Sequence, residues 1–445
     1  MASTYLSKTL SGSPTDNNKW TWSAWVKRSK LTTEQPLFYA DDGGTSYYTR
    51  IQWHDTDQIS VRNRFAGADK GYAITTPMYR DTASWYHLQV VLDTNNATAG
   101  DRIIIYVNGE RVTAFDNNPT ITQNAGSTIN DGYEHRIGRG NNTSGSSYFD
   151  GQMSHVHFID GQAYAPTVFG ETDATTGQWK IKTSPSVTYG TNGFFILKDG
   201  NSLTDASANS NNFALGGGQI TNLKDNPSNN FCNINLLYNQ TTGQGVVVNN
   251  CGNTVYYASN ASRSCFGSIA PSSGKYYFEA KVFGGTGTVV IGIVNMAWSN
   301  LNGASGYAFH DDALNFGYNV SGQKTSGGSN TAYGSAISDG DIVGVAMDLD
   351  NSKLYFSLNG VFQGSGDPTS GASGTNAAFT LASGANYTAA CRLRNGTQVG
   401  FNFGNGQYSG SSVVASEGTN ASGNGKFEYD VPTGYTALST KGLNL

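Results

Sequence analysis

The acids and histidines of this sequence are few, and their spacing limits the chemistry they can do. Hydrolysis of a glycosidic bond needs two carboxyl groups on one face, which a strand supplies at positions i and i+2. Glu171-Thr172-Asp173 has that spacing, but the last acid of a Glu-x-Asp-x-x-Glu strand is missing, with Thr176 in its place. His155 and His157 share the same i, i+2 relation and could ligate a transition metal. No cysteine or acid stands at a spacing that completes their shell, so packing within a strand is the simpler reading. There is no Gly-x-Ser-x-Gly elbow for a serine nucleophile. The four cysteines, Cys232, Cys251, Cys265 and Cys391, contain no C-x-x-C pair, which argues against zinc and for buried thiols.

Binding without catalysis asks for less. A sugar ring presents an apolar face and a polar edge, which Tyr and Trp match with a flat surface and a polar handle. Tyr47, Tyr48, Trp53 and His54 lie close together in the first half, and Tyr307, Phe309, His310 and Tyr318 in a turn-rich stretch of the second. Both groups are candidate ligand sites; the competing reading is that they are core aromatics, as Trp20, Trp22, Trp25, Tyr277 and Phe356 are expected to be. Asp41, Asp42, Asp55 and Asp57 offer hard oxygens of the kind calcium takes in sets of six to eight. The same acids also suit turns.

These residues must be held by strands. The chain has 445 residues, above the ~250–300 at which one core stops growing, so two domains are expected. Its 56 glycines, with 25 Tyr and 21 Phe, fit many short strands joined by turns. Trp20 to Val26, His87 to Asp93, Arg102 to Val107, Lys275 to Val282, Thr288 to Val294, Asp341 to Asp348 and Lys353 to Leu358 read as strands. Asn108-Gly109 and Asn359-Gly360 each follow one of them, the strongest short hairpin signal. Gly200 to Asn230 turns rich in Asn, Ser, Asp and Gly, and the boundary is placed there, giving domains 1–224 and 225–445. A last strand of the first domain is expected near Phe213. The fold class expected is all-β, two tandem antiparallel jelly-roll-like β-sandwiches.

A net charge of −5 with scattered cations leaves no footprint for nucleic acid. The longest apolar run, Val289 to Met296, is too short to span a bilayer. The amino terminus lacks the apolar core of a signal peptide, so synthesis in a cytoplasm is expected.

The stretches Trp20 to Arg28, Trp85-Tyr86-His87-Leu88, Ile104 to Gly109 and Phe149 to Gly161 resemble a laminin-G-like, concanavalin-A-type sandwich. Ser273 to Glu279, Ile291-Gly292-Ile293, Asp339 to Val345 and Leu354 to Gly360 resemble a SPRY domain. The first resemblance implies a calcium ion at the rim, for which Asp41, Asp42, Asp55 and Asp57 are the candidates; the second implies contacts made by loops at one end. Phe169 to Asp173, Tyr189 to Phe194, Asp225 to Cys232 and Val431 to Leu438 resemble structural proteins of tailed bacteriophages. That resemblance implies a virion protein assembled in the host cytoplasm, among other virion proteins and by analogy as a homo-oligomer. The expected function is non-enzymatic attachment to a host-surface glycan or envelope receptor. Two alternatives stand beside it: a capsid or tail decoration protein that binds no receptor, and a polysaccharide depolymerase.

Overall fold

The computed structural model describes residues 4–141, 147–198, 202–238, 245–249, 252–284, 288–301 and 308–444. Among them are β-strands and three-residue 3-10 turns, with no α-helix. Among the described residues no helix is long and apolar enough to cross a membrane. The all-β expectation therefore holds, as antiparallel sheets throughout but for one short parallel pairing. The chain forms two compact units, Met1–Asn222 and Leu223–Leu445.

The amino-terminal unit is a sandwich of two sheets. The first has eight strands, in spatial order Phe115–Asn117, Ala68–Thr75, Ile59–Phe65, Tyr48–Trp53, Gln35–Asp41, Glu134–Ile137, Tyr5–Thr9 and Ala214–Gly217. The second has six: Phe194–Ile196, Gly151–Asp160, Lys19–Arg28, Tyr86–Asp93, Ile103–Val107 and Glu110–Arg111. Side chains alternate across a strand, so Trp20, Trp22, Ala24 and Val26 meet Phe38, Ile51, Trp53 and Val61 from the facing sheet in one core. The strand Ala214–Gly217 returns to pair with Tyr5–Thr9. Asn108 and Gly109 take φ of 49° and 84°, the left-handed pair that a two-residue hairpin turn needs.

The strand Lys19–Arg28 is buried from Trp20 to Arg28 on both faces, although its sequence alternates. Its outward residues lie under a strap formed by residues 161–193. Tyr164, Phe169, Trp179 and Tyr189 of this strap bond or stack with His87, Gln89 and His157. The strand Gly151–Asp160 carries a bulge there: Ser154 faces Trp25 and His157 faces Ser23, with His155 at φ 51°. Both imidazoles pack against Phe195, at 5.7 and 3.9 Å between ring centroids, but among the described residues no third His, Cys, Asp or Glu joins them to hold a metal. His155 Nδ1 bonds Ser154 Oγ, and His157 Nδ1 bonds the Tyr189 hydroxyl.

The carboxy-terminal unit is a second sandwich. Seven strands of its larger sheet run Val247–Asn249, Thr254–Tyr257, Thr397–Asn402, Lys275–Phe283, Ile342–Asp348, Lys353–Leu358 and Val361–Phe362. Phe379–Thr380 pairs with Lys353–Leu358, and Thr436–Ala437 runs parallel to Lys275–Phe283. The smaller sheet is Arg263–Phe266, Tyr387–Leu393, Val290–Asn295, Phe316–Asn319, Gln323–Ser326 and Ser329–Ala332. Tyr318 of one sheet stacks on Phe356 of the other, 5.7 Å between centroids. Asn359 and Gly360 repeat the left-handed turn at 49° and 83°. Cys265 and Cys391 face each other across two strands as buried thiols, and Cys232 is buried as well; Cys251 lies outside the described residues.

Both outer faces of this second sandwich are covered. Tyr277, Ala346 and Tyr355 lie under Phe231, Phe427, Val431, Tyr435 and Ala437. Phe266, Val290, Val294 and Ala390 lie under Trp298 and Phe309.

Candidate functional site

The residues expected to bind a ligand in the first half are not brought together. Asp41 is the register partner of Tyr48, and Gln35 of Trp53. Asp41, Asp42, Tyr47 and Tyr48 therefore stand at one end of the hairpin, and Trp53, His54, Asp55 and Asp57 at the other. At ~3.3 Å per residue the strand between them spans roughly 17 Å. Tyr47 packs edge-on against Phe65, 4.8 Å between centroids. Tyr48 is buried and stacks on Tyr39, and Trp53 belongs to the core. His54 Nδ1 contacts Thr56 Oγ1 at 2.8 Å and Asp55 at 2.7 Å.

The four acids do not make a calcium shell. Arg136 takes both oxygens of Asp41, at 3.0 and 3.3 Å, and the Gly43 amide bonds Oδ1. Asp57 is fully buried between Arg28 at 3.0 Å and Arg80 at 3.0 Å, and the Thr32 amide donates to it at 2.7 Å. Arg28 in turn lies over the Trp53 ring, 4.8 Å from its centroid. These carboxylates neutralise guanidinium groups that the fold encloses. Asp42 caps the Gly44 amide, and Asp55 is exposed beside His54. Among the described residues no group of three or more His, Cys, Asp or Glu could hold a metal ion.

The second set also departs from expectation. Tyr307 lies outside the described residues. Phe309 is wholly buried within the apolar cover, and Tyr318 is a core residue whose hydroxyl donates to the Ser335 carbonyl. His310 is buried, and desolvation lowers its pKa to about 4 despite Asp311. None of the three offers a sugar an open ring face. The pair Glu171 and Asp173 sits on an exposed hairpin, Gly170–Thr172 with Trp179–Ile181, and both acids face Lys180 at 3.4 and 3.3 Å. The amides of Thr176 and Thr175, with Lys180, hold the Asp173 carboxyl down at about 2, so it has no proton to donate near neutrality.

What the fold does assemble is the outer face of the eight-stranded sheet. Register aligns Ser7, Arg136, Tyr39, Arg50, Arg62 and Tyr72 in one row across six strands. A second row runs Thr9, Glu134, Asp41, Tyr48, Arg64 and Asp69. The inward neighbours Phe38, Ile51, Val61 and Ala73 are core, which fixes the rows as outward. Arg62 lies 4.7 Å from the Tyr72 ring centroid and 5.6 Å from that of Tyr48, and Arg50 lies 5.7 Å from Tyr48. The tyrosines are the floor and the guanidinium groups the surface: Tyr39 and Tyr48 are buried, while the Arg50, Arg62 and Arg64 side chains are 16, 23 and 30% exposed. Asp69 serves two arginines, Arg62 through paired bonds of 2.9 and 2.8 Å and Arg64 at 3.5 Å. The Arg62 hydrogen bonds hold the Asp69 carboxyl below its usual range against a smaller desolvation effect.

The comparisons with known proteins agree with the two sandwiches. Residues 3–169 match the model of the concanavalin A-like lectin/glucanases superfamily, Laminin_G_3, and residues 275–406 match the SPRY domain. The chain carries a laminin-G-type domain followed by a SPRY domain. Modules of these two kinds are generally non-catalytic binding modules. The comparison with curated proteins finds no match. Among solved structures, the SPRY domain of human HERC1 is similar at 16% identity, covering 36% of this chain and 92% of that one, with a TM-score of 0.27. A heptameric pentraxin from Limulus polyphemus is similar at 14% identity, covering 50% and 89%, with a TM-score of 0.33. Domains LG4-5 of the mouse laminin alpha1 chain are similar at 9% identity, covering 91% and 79%, with a TM-score of 0.31. At such identities no residue role carries over. The matched segments end before Trp179 and Tyr189 of the strap, and the SPRY match excludes Phe231, Phe427, Val431, Tyr435 and Ala437. Two of the three covered faces thus owe their cover to chain beyond the family modules.

Proposed function

We propose that this chain is a non-enzymatic bacteriophage virion protein, exposed on the particle, whose laminin-G-type domain attaches to host-surface glycan. The observation that carries the reading is the contrast among the four outer sheet faces. Three are sealed by the chain's own aromatic and apolar side chains, and the fourth presents arginines over a tyrosine floor. A sealed face serves stability; a polar, partly exposed face of this breadth is free to take a ligand. The phage assignment is supported by the stretches Asp225 to Cys232 and Val431 to Leu438, which resemble phage structural proteins. Single saccharide contacts are weak, and repetition on a symmetric particle raises their avidity by orders of magnitude.

The test is binding of fluorescent protein, displayed as a multimer, to a panel of encapsulated bacteria and their capsule-deficient mutants. Saturable binding to an encapsulated strain that is lost from its mutant supports attachment. Absence of binding across the panel refutes it and favours a decoration protein held by virion neighbours.

A further inference from the structure

We infer that the outer face of the eight-stranded sheet selects acidic polysaccharide, with Arg50 as the residue that receives a sugar carboxylate. The inference rests on the glycan-attachment reading and names its ligand class. Arginine and carboxylate already meet on this face in two geometries, Arg62 with Asp69 and Arg136 with Asp41, each through two nitrogen–oxygen contacts. Planar fork-to-fork pairing is the arrangement a guanidinium makes best, and with carboxylates above all. Arg50 sits in the same row between these two pairs and lacks such a two-contact pairing.

Its one ionic neighbour among the described residues is Glu34, an ion pair at 3.8 Å from Nη2 that is beyond hydrogen-bond reach. Glu34 is 42% exposed, and its Oε1 accepts instead from the Gln52 amide at 3.1 Å. The Arg50 side chain makes no hydrogen bond, and its Nε is enclosed without an acceptor. The Tyr48 ring holds the guanidinium from one side. A charged group that is oriented, partly desolvated and held only by a loose ion pair with an exposed glutamate can exchange that partner for an incoming carboxylate at its Nη edge, at little ordering cost on the protein side.

The charge balance of the face points the same way. On the strands Tyr48–Trp53 and Ile59–Phe65, Arg50, Arg62 and Arg64 are answered within hydrogen-bond range by Asp69 alone. This local excess lies on adjacent strands, ~4.8 Å apart, although over the whole face Arg50, Arg62, Arg64 and Arg136 are matched in number by Glu34, Asp41, Asp69 and Glu134. A polymer bearing one carboxylate per few rings can lie along such a row; a neutral glycan gains nothing from it. The near-complete burial of Tyr39 and Tyr48 removes the open ring faces that neutral sugars stack on.

The experiment uses the full chain, tetramerised, over immobilised polygalacturonate. Dextran is the neutral control, dextran sulfate the sulfate control, and carboxyl-reduced polygalacturonate the test of the group itself. The expected result is binding to polygalacturonate that weakens with salt and disappears on carboxyl reduction. Arg50→Gln is expected to weaken it by about tenfold or more, the loss of one charge-assisted pair. Arg111→Gln, which removes an exposed arginine on the other sheet, is expected to leave it unchanged, and both variants should keep the parent's thermal transition. No binding to polygalacturonate, equal binding to dextran, stronger binding to dextran sulfate, or indifference to Arg50→Gln would each overturn the inference. Capsule-dependent binding that Arg50→Gln leaves intact overturns this ligand assignment while preserving attachment; loss of all cell binding by the parent protein overturns attachment itself.

Discussion

The two sandwiches solve one problem in different chemistry. The SPRY-containing unit seals both outer faces with apolar and aromatic side chains, and ties its cover down through one buried acid. Glu279 accepts from the Tyr408 hydroxyl, the Glu428 and Tyr429 amides and the Asn402 amide group. The laminin-G-type unit seals one face with a strap whose contacts are mixed. Trp179 donates to His87 Nδ1, so that His87 Nε2 carries the proton toward Ser23, and Tyr189 bonds His157. It leaves the other face as an arginine–tyrosine surface. The difference shows where function has room: a face without a cover must be tolerable to water, and side chains that tolerate water can also recognise a polar ligand.

The largest expected effects come from the buried ions that each unit depends on. Asp57→Ala strands Arg28 in the laminin-G-type unit, and Glu279→Ala strands five donors in the other, the Tyr277 hydroxyl included. Each is expected to cost about 3–5 kcal/mol. Six of the seven tryptophans, Trp20, Trp22, Trp25, Trp53, Trp85 and Trp179, belong to the first unit. Tryptophan fluorescence in urea should therefore shift strongly for Asp57→Ala and little for Glu279→Ala, whereas circular dichroism reports both. Equal fluorescence shifts would break the picture of two separately sealed units.

Acid should separate the units next. In the first, burial holds His87 at about 3 and His135 at about 4, and His157 is pushed well below its usual range. Unfolded histidines titrate near 6.5, so the folded state binds fewer protons below that pH. Stability is full above ~6.5 and falls as pH drops, by up to about 1.4 kcal/mol per pH unit for each histidine. The second unit has His310 alone among described buried histidines, held at about 4. Its Glu279 is raised by burial against several hydrogen bonds, and that contribution runs the other way: stability is lost as pH rises above the ordinary value. The fluorescence transition should fall more steeply between pH 6.5 and 4.5 than the transition of the second unit in calorimetry. Parallel decline would show that the histidines do not set the difference.

Trp179→Ala should loosen the strap at a cost of about 2–3 kcal/mol. It should also let the His87 pKa rise from about 3 toward 6.5, readable in its imidazole NMR signals. The smallest effect is expected for Arg62→Gln. Its exposed pair with Asp69 should contribute about 0–1 kcal/mol, leaving the melting temperature nearly unchanged. A large loss there would mean that the open face has a structural duty after all.

Much of this was legible in order of chain distance. The hairpins at Asn108-Gly109 and Asn359-Gly360 were readable because two adjacent residues fix the turn. The alternation Tyr48-Thr49-Arg50-Ile51-Gln52-Trp53, against Ile59-Ser60-Val61-Arg62-Asn63-Arg64, already places the arginines on one face and Ile51 and Val61 on the other. That signal lies in the alternation of two strands, whereas the aromatic and acidic clusters stand out by closeness in sequence alone. Proximity along a strand misled there: Tyr48 and Trp53 are neighbours in sequence and stand at opposite ends of a hairpin.

The sequence by itself determined the fold class, the tandem of two modules and the strands that build them, because a period of two and left-handed turn residues act locally. Only the tertiary structure decided which outward residues meet water. Whether Trp25 and His87 are surface or interior depends on a strap about 90 residues downstream of His87, and whether Asp57 binds a cation from solution depends on Arg28 and Arg80 reaching it first. Such competition is settled by burial and by which charges arrive within hydrogen-bond distance, and neither is encoded in the spacing of any one segment.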